Sequence, residues 1–251
     1  MKTIITIFCL LILLTGVAGC GGARDTDTML QESAAMLEAG NYEDAVKLAA
    51  KAVNSAPGRA DARLLYAIAL ERMGDLPGAV REAEEAVKAE PDLFVARYTL
   101  GRIYANSQRN PEALQALGKA LELRAGDRNT LILLANVSMR LAPSQAMKYL
   151  AALNRDRALI ASAAYKNQMG IGMLALRNLR AGALSLREAQ KREPSNPIYM
   201  LNLARVFDYY INDTRSAVQL YRKFQELASV SAVDGVLLGE VNARLRFLSS
   251  R

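Results

Sequence analysis

Residues 60–92, ADARLLYAIALERMGDLPGAVREAEEAVKAEPD, and residues 94–123, FVARYTLGRIYANSQRNPEALQALGKALEL, are one passage written twice. Ala67 aligns with Gly101, Leu70 with Tyr104, Ala79 with Ala113 and Ala86 with Ala120, each pair 34 residues apart. A fixed period of this size marks a solenoid. Each unit is a supersecondary piece that cannot bury its apolar face alone, and stacked neighbours complete the core.

The period extends in both directions. A small residue recurs in a first helix at Ser33, Ala67, Gly101, Ala135, Gly170 and Ala204, in steps of 34, 34, 34, 35 and 34. Three residues later stand Met36, Leu70, Tyr104, Met173 and Phe207, with Ser138 breaking the row. The second helix carries Ala45, Ala79, Ala113, Ala146, Gly182 and Ala217, and near its end Ala52, Ala86, Ala120, Leu153, Ala189 and Phe224. Small residues let two helices of a hairpin approach closely, and the large neighbour fills the groove beside them.

Turn chemistry falls between these rows. Gly40-Asn41 and Gly74-Asp75 supply the φ > 0 residue that ends a first helix. Pro57, Pro91 and Pro194 stop the second helices because proline cannot continue them. Glu43 and Asp44 occupy a first turn, where the helix dipole favours negative charge.

The pattern Gly40-Asn41-Tyr42-Glu43-Asp44-Ala45, followed by Ala52 and Pro57, resembles the second-helix signature of the tetratricopeptide repeat family. The resemblance implies an all-α fold, a right-handed α-solenoid of about six helix hairpins over residues 29–229. The copies fall near 26–59, 60–93, 94–127, 128–156, 163–196 and 197–229. Copy four lacks the closing Pro and has a short turn at Ala142-Pro143-Ser144, and copy six carries an extra residue near Ile211-Asn212-Asp213. The family's first-helix Trp is replaced by Met29, Arg63, Arg97, Leu131, Lys166 and Met200. Within residues 230–251, Val233, Val236, Leu237, Val241, Leu245 and Leu248 form an apolar stripe, with Glu240, Arg244 and Arg246 outside it. An open solenoid must cover its last apolar flank, so this segment reads as a capping helix and tail, with a partner-docking helix as the alternative.

The amino terminus reads as an address. Lys2 precedes the apolar run Ile4–Leu14, which is short for a bilayer span, and Leu14-Thr15-Gly16-Val17-Ala18-Gly19-Cys20 resembles a bacterial lipobox. That resemblance implies removal of residues 1–19 and covalent lipid on Cys20, followed by a polar tether over residues 20–28 with N-cap candidates Asp27 and Thr28. Gly21 after the Cys implies the periplasmic face of the outer membrane in a two-membrane organism. Cys9 leaves with the signal peptide, so the folded part holds no thiol for a disulfide.

Half of the residues are apolar (51%) and only 6% are aromatic, which suits helix packing through small residues better than a β-sandwich. The net charge of +7 comes without a run of five or more basic residues, and export makes nucleic acid an unsuitable partner. Catalysis is poorly provided for. The chain has no His, no Gly-x-Ser-x-Gly elbow and no phosphate loop. Glu82, Glu84 and Glu85 are a metal candidate, but Glu84 also stands four residues before Lys88 in an ordinary helix pair. Gly170-Ile171-Gly172-Met173-Leu174-Ala175 mimics a dinucleotide fingerprint without the preceding strand that the motif needs. No cofactor is expected beyond the lipid.

A binding surface is what remains. The resemblance implies a concave face lined by first helices. On this chain its residues are Leu64, Ile68, Tyr98, Arg102, Ile132, Asn136, Arg140, Ile171 and Arg205. Apolar positions mixed with Arg suit a protein or peptide partner bearing acidic groups. The layout is similar to pilotin-type and tight-adherence pilus lipoproteins. It implies a non-catalytic, membrane-anchored adaptor in a bacterial envelope assembly. The alternatives are a scaffold for outer-membrane protein insertion or cell-wall enzymes and, in a different class, a carboxylate-based envelope enzyme.

Overall fold

The computed structural model describes residues 21–250, with side chains from Asp25 onward. The signal peptide, the lipobox and Cys20 lie outside the described residues. Within them every regular element is helical.

The chain divides into two compact units, residues 1–133 and 134–251. The first contains α1 (Gly21–Ala39), α2 (Tyr42–Ser55), α3 (Ala60–Met73), α4 (Leu76–Ala89), α5 (Phe94–Asn106) and α6 (Asn110–Leu123). Helix α7 (Arg128–Leu141) runs across the division. The second unit continues with α8 (Pro143–Ala152), the single turn α9 (Arg157–Ile160), α10 (Ala163–Ala175), α11 (Leu179–Arg192) and α12 (Pro197–Val206). A π-turn (Phe207–Ile211) leads into α13 (Thr214–Ala228) and α14 (Gly235–Ser249). Sequential helices pair as hairpins: α1 with α2, α3 with α4 and α5 with α6 in the first unit, α10 with α11 and α12 with α13 in the second.

The small-residue rows are buried throughout. A Cβ on Gly101 would stand 2.6 Å from Cγ of Leu117, and a Cβ on Gly170 the same distance from Cγ of Leu186. Both pairs are 16 residues apart, so one steric demand recurs at one position of two different hairpins. Gly170 lies in the middle of α10, among helices only, which removes the dinucleotide reading.

The turns also repeat. Gly40 and Gly74 have φ of +81° and +90°, and Gln108, Arg177 and Asn212 hold the same left-handed conformation at φ 59°, 63° and 59° without being glycine. Asp75, Asn178 and Asp213 follow three of these residues and cap the next helix, each side chain accepting a backbone N–H three residues on. Pro57, Pro91 and Pro194 each sit two residues past the end of a second helix. At Arg63 and Arg97, positions of the family's Trp, Nε donates to a loop carbonyl six residues back, Pro57 O and Pro91 O, at 2.9 Å in both copies. Arginine therefore ties the preceding loop where a Trp ring would pack.

Three expectations change. Residues 21–28 are helical rather than a tether: α1 begins at Gly21, Thr26 is buried, and Asp27 pairs with Arg59. Asp27 and Thr28 are thus interior helix residues instead of N-caps. In α14, Val241, Leu245 and Leu248 join the core formed by α12 and α13, as a capping helix requires, but Val236 is 70% exposed. Arg244, placed by its periodicity on the solvent side, reaches back to a buried carboxylate, Asp208. The extra residue of copy six is absorbed in the π-turn, where Asp213 N bonds Phe207 O at 2.9 Å.

Candidate functional site

The carboxylates of α4 do not converge. Glu82 accepts from Arg63, Glu84 from the Tyr104 hydroxyl at 2.6 Å, and Glu85 from Lys88. Burial, then the bond to Glu84, pushes the Tyr104 phenol up to about 12. Lys88 therefore pairs with Glu85, and Glu84 is held by a tyrosine of the next hairpin. No group of three potential ligands forms a metal site among the described residues.

In the first unit, Leu64 and Ile68 are 1% and 6% exposed. Both are core residues of α3 and offer no surface to a partner, which corrects their placement on the groove wall. Tyr98 is half-buried and stacks on Phe94, with ring centroids 6.0 Å apart. Arg102 is already committed. Its Nη1 contacts both carboxylate oxygens of Glu71 at 2.7 and 2.5 Å, and Asn106 donates to the same carboxylate. The Glu71 side chain is 5% exposed, so this pair fastens α5 to α3 rather than presenting a free cation. Ile132, on α7, is half-buried.

In the second unit, three of the expected residues come together. Arg140 near the end of α7, Ile171 of α10 and Arg205 of α12 line one cavity of about 460 Å³. Leu174, Leu186 and Val206 give it an apolar floor, and Asn202 and Tyr210 add polar atoms at its wall. Asn202 is oriented by a 2.8 Å bond from its Nδ2 to Oδ1 of buried Asn167, 35 residues earlier and one repeat away. No acidic residue lines the cavity, and neither Arg140 nor Arg205 makes an ion pair among the described residues. Asn136, one turn before Arg140, is exposed outside the lining.

Sequence reasoning missed Asn202, Tyr210, Met139 and Pro143. Tyr210 had a signal: the added residue of copy six becomes the π-turn that carries its ring to the cavity. Chemically, the site joins two unpaired guanidinium groups to an apolar base. It can bind a carboxylate-bearing segment with an apolar side chain, and it contains no nucleophile–base pair.

These features define a class: a helix-hairpin repeat scaffold with a cavity lined by several of its helices. Two tetratricopeptide-repeat models match the chain, over residues 36–92 and 68–129. Residues 36–129 therefore carry tetratricopeptide repeats, a kind of repeat that mediates protein interactions. Comparison with curated proteins finds no sequence match. Among solved structures, Pseudomonas aeruginosa pilF is similar at 20% identity and a TM-score of 0.66, covering 90% of this chain and 100% of that one. YrrB, described as a TPR protein with an unusual peptide-binding site, is 18% identical with a TM-score of 0.56, covering 78% and 97%. MamA from Desulfovibrio magneticus RS-1, from residue 41 to its end, is 20% identical with a TM-score of 0.60, covering 69% and 97%. At these identities the likeness is one of fold.

Proposed function

We propose that the protein is a non-catalytic adaptor that captures an acidic segment of a partner protein in the cavity of its second unit. The observation carrying this reading is the pair Arg140 and Arg205, neither in an ion pair among the described residues, above an apolar floor. A guanidinium offers two parallel N–H donors that match a carboxylate, and leaving such donors unpaired in a partly enclosed site favours an anionic occupant. The adaptor is lipid-anchored through Cys20 at the periplasmic face of the outer membrane and serves a pilus or secretin assembly. The lipobox-like segment supports the anchor, and the likeness to pilF over nearly the whole chain supports the pilus branch. No described helix is long and apolar enough to cross a membrane.

The test is a crosslinked pull-down of the lipidated protein from its own membranes, with mass spectrometry. A secretin or pilus subunit is the expected catch, lost in Arg140→Glu/Arg205→Glu. Recovery of wall enzymes or barrel-assembly proteins instead would overturn the pilus branch. Capture unaffected by the double variant would move the site elsewhere. Cys20→Ala should release the protein from membranes, and persistent membrane retention would count against the anchor.

A further inference from the structure

The two units differ in charge. Residues 1–133 contain fifteen Lys and Arg against seventeen Asp and Glu, a net −2, and residues 134–251 contain seventeen against eight, a net +9. Such asymmetry between halves points to a polyanionic or membrane partner for the basic one.

Part of the excess is in register with the repeat. Gly182 and Ala217 are equivalent buried residues of α11 and α13, each facing the first helix of its own hairpin. Two residues before them stand Arg180 and Arg215, and five residues after them Arg187 and Arg222. All four are exposed, and none makes an ion pair among the described residues. Sharing one offset from a buried residue, they point away from the core on the same side of their hairpins. The matching positions in the first unit, around Ala45, Ala79 and Ala113, are Glu43 and Ala50, Pro77 and Glu84, Pro111 and Gly118. The arginines are therefore a property of these two hairpins and not of the repeat pattern.

Apolar side chains accompany them. Arg180, Leu184, Arg187 and Lys191 fall at i, i+4, i+7 and i+11, one stripe of α11, and Leu184 is 54% exposed. Leu176, in the turn before α11, and Leu179, its first residue, are 47% and 38% exposed.

We propose that this arginine–leucine face docks the second unit on an anionic lipid surface. Guanidinium groups bind lipid phosphates through paired N–H donors, and leucines interspersed among them enter the boundary between headgroups and acyl chains. A nucleic acid would leave those leucines in water, and the exposed side of α11 and α13 carries no aromatic ring for base stacking. None of the four arginines lines the cavity holding Arg140 and Arg205, so this inference stands apart from the adaptor reading.

The experiment uses the chain from Gly21 onward, which keeps every described helix and lacks Cys20. It is mixed with vesicles of phosphatidylcholine alone or with added phosphatidylglycerol and sedimented at rising salt. Binding should require phosphatidylglycerol and weaken with salt. Arg180→Glu/Arg187→Glu/Arg215→Glu/Arg222→Glu should lower partition by at least about tenfold. The same reversal at exposed Lys148, Arg155, Arg157 and Arg246, which changes net charge equally, should lower it by less than about threefold. Leu179→Ser/Leu184→Ser should lower it by about threefold without altering the salt dependence. Equal binding to neutral vesicles, or equal loss in both charge-reversed variants, would overturn the proposal. So would duplex DNA displacing the vesicles with the leucine variant unaffected, since the patch would then be a general polyanion site.

Discussion

Arg244 of α14 grips Asp208 of the π-turn with two hydrogen bonds, Nε to Oδ2 at 2.8 Å and Nη2 to Oδ1 at 2.7 Å, across 36 residues of chain. The Tyr221 hydroxyl donates a third at 2.9 Å. The Asp208 side chain is 3% exposed, and Arg244 also lies over the Tyr209 and Phe247 rings, 5.0 Å from each centroid. The apolar stripe of α14 gives the cap its area, and this pair fixes its register against the irregular turn.

Burial opposes charge on Asp208, yet the bonds from Arg244 and Tyr221 outweigh it and hold the carboxyl below its ordinary range. Its contribution to stability is therefore full above the unfolded carboxylate value and is lost as pH falls through the lower folded one. Asp208→Asn should cost about 2–3 kcal/mol at neutral pH, less than for a fully buried pair because Arg244 is partly in water. In urea titrations the gap between wild type and variant should hold down to about pH 4 and close below it. A gap that narrows near neutrality would mean the pair does not form as described.

Glycines in the hairpins should separate by their surroundings. Gly170→Ala puts a methyl 2.6 Å from Leu186 Cγ and 3.0 Å from the backbone oxygen of Gly182. It should destabilise by about 1–3 kcal/mol despite alanine's better helix propensity. Gly118→Ala, also within a helix but with nothing within 4 Å, should stabilise by about 0.5–1 kcal/mol. Thermal melts of the two single variants should move in opposite directions.

The left-handed turn residues make a third test. Gln108→Gly and Arg177→Gly relieve a conformation that costs non-glycine residues about 1 kcal/mol, so each should raise stability by about 0.5 kcal/mol once glycine's larger unfolded-state entropy is counted. Gly74→Ala, at φ +90°, should lower it by about 1 kcal/mol. Chemical denaturation with unchanged m-values would read both.

The arginines of the expected binding face should part company. Arg140→Glu with Arg205→Glu should weaken an acidic partner by at least about tenfold while leaving the melting curve in place. Arg102→Glu should instead lower stability by about 3 kcal/mol, since it sets a second carboxylate against buried Glu71. Calorimetric binding and thermal melts on the same samples would distinguish the two.

The helix pairing was legible because its cause is written at single positions. Gly101 and Gly170 are small because Leu117 and Leu186 occupy the space a Cβ would take, and the period preserves that demand. The site was legible only in part. Helical periodicity marks Leu64, Ile68 and Ile171 as inward-facing, but it cannot separate a cavity wall from a seam between helices, and only Ile171 lies at a cavity. Arg102 and Arg205 look alike in sequence. What separates them is Glu71, 31 residues before Arg102 and beside it only after the hairpins stack. The helical start at Gly21 was hidden by two glycines and by a cap-like Asp27 whose partner, Arg59, lies 32 residues on.

The left-handed residue recurs at 40, 74, 108, 177 and 212 whatever side chain stands there. Inheritance thus has a ready-made splice point in this protein. A cut from 40 to 74 or from 74 to 108 removes or duplicates one repeat length, the second helix of one hairpin with the first of the next, and rejoins two matching backbone ends. Repeat number can then drift while each joint stays intact, and specificity is rewritten one repeat length at a time, as in the two hairpins that carry the paired arginines of α11 and α13.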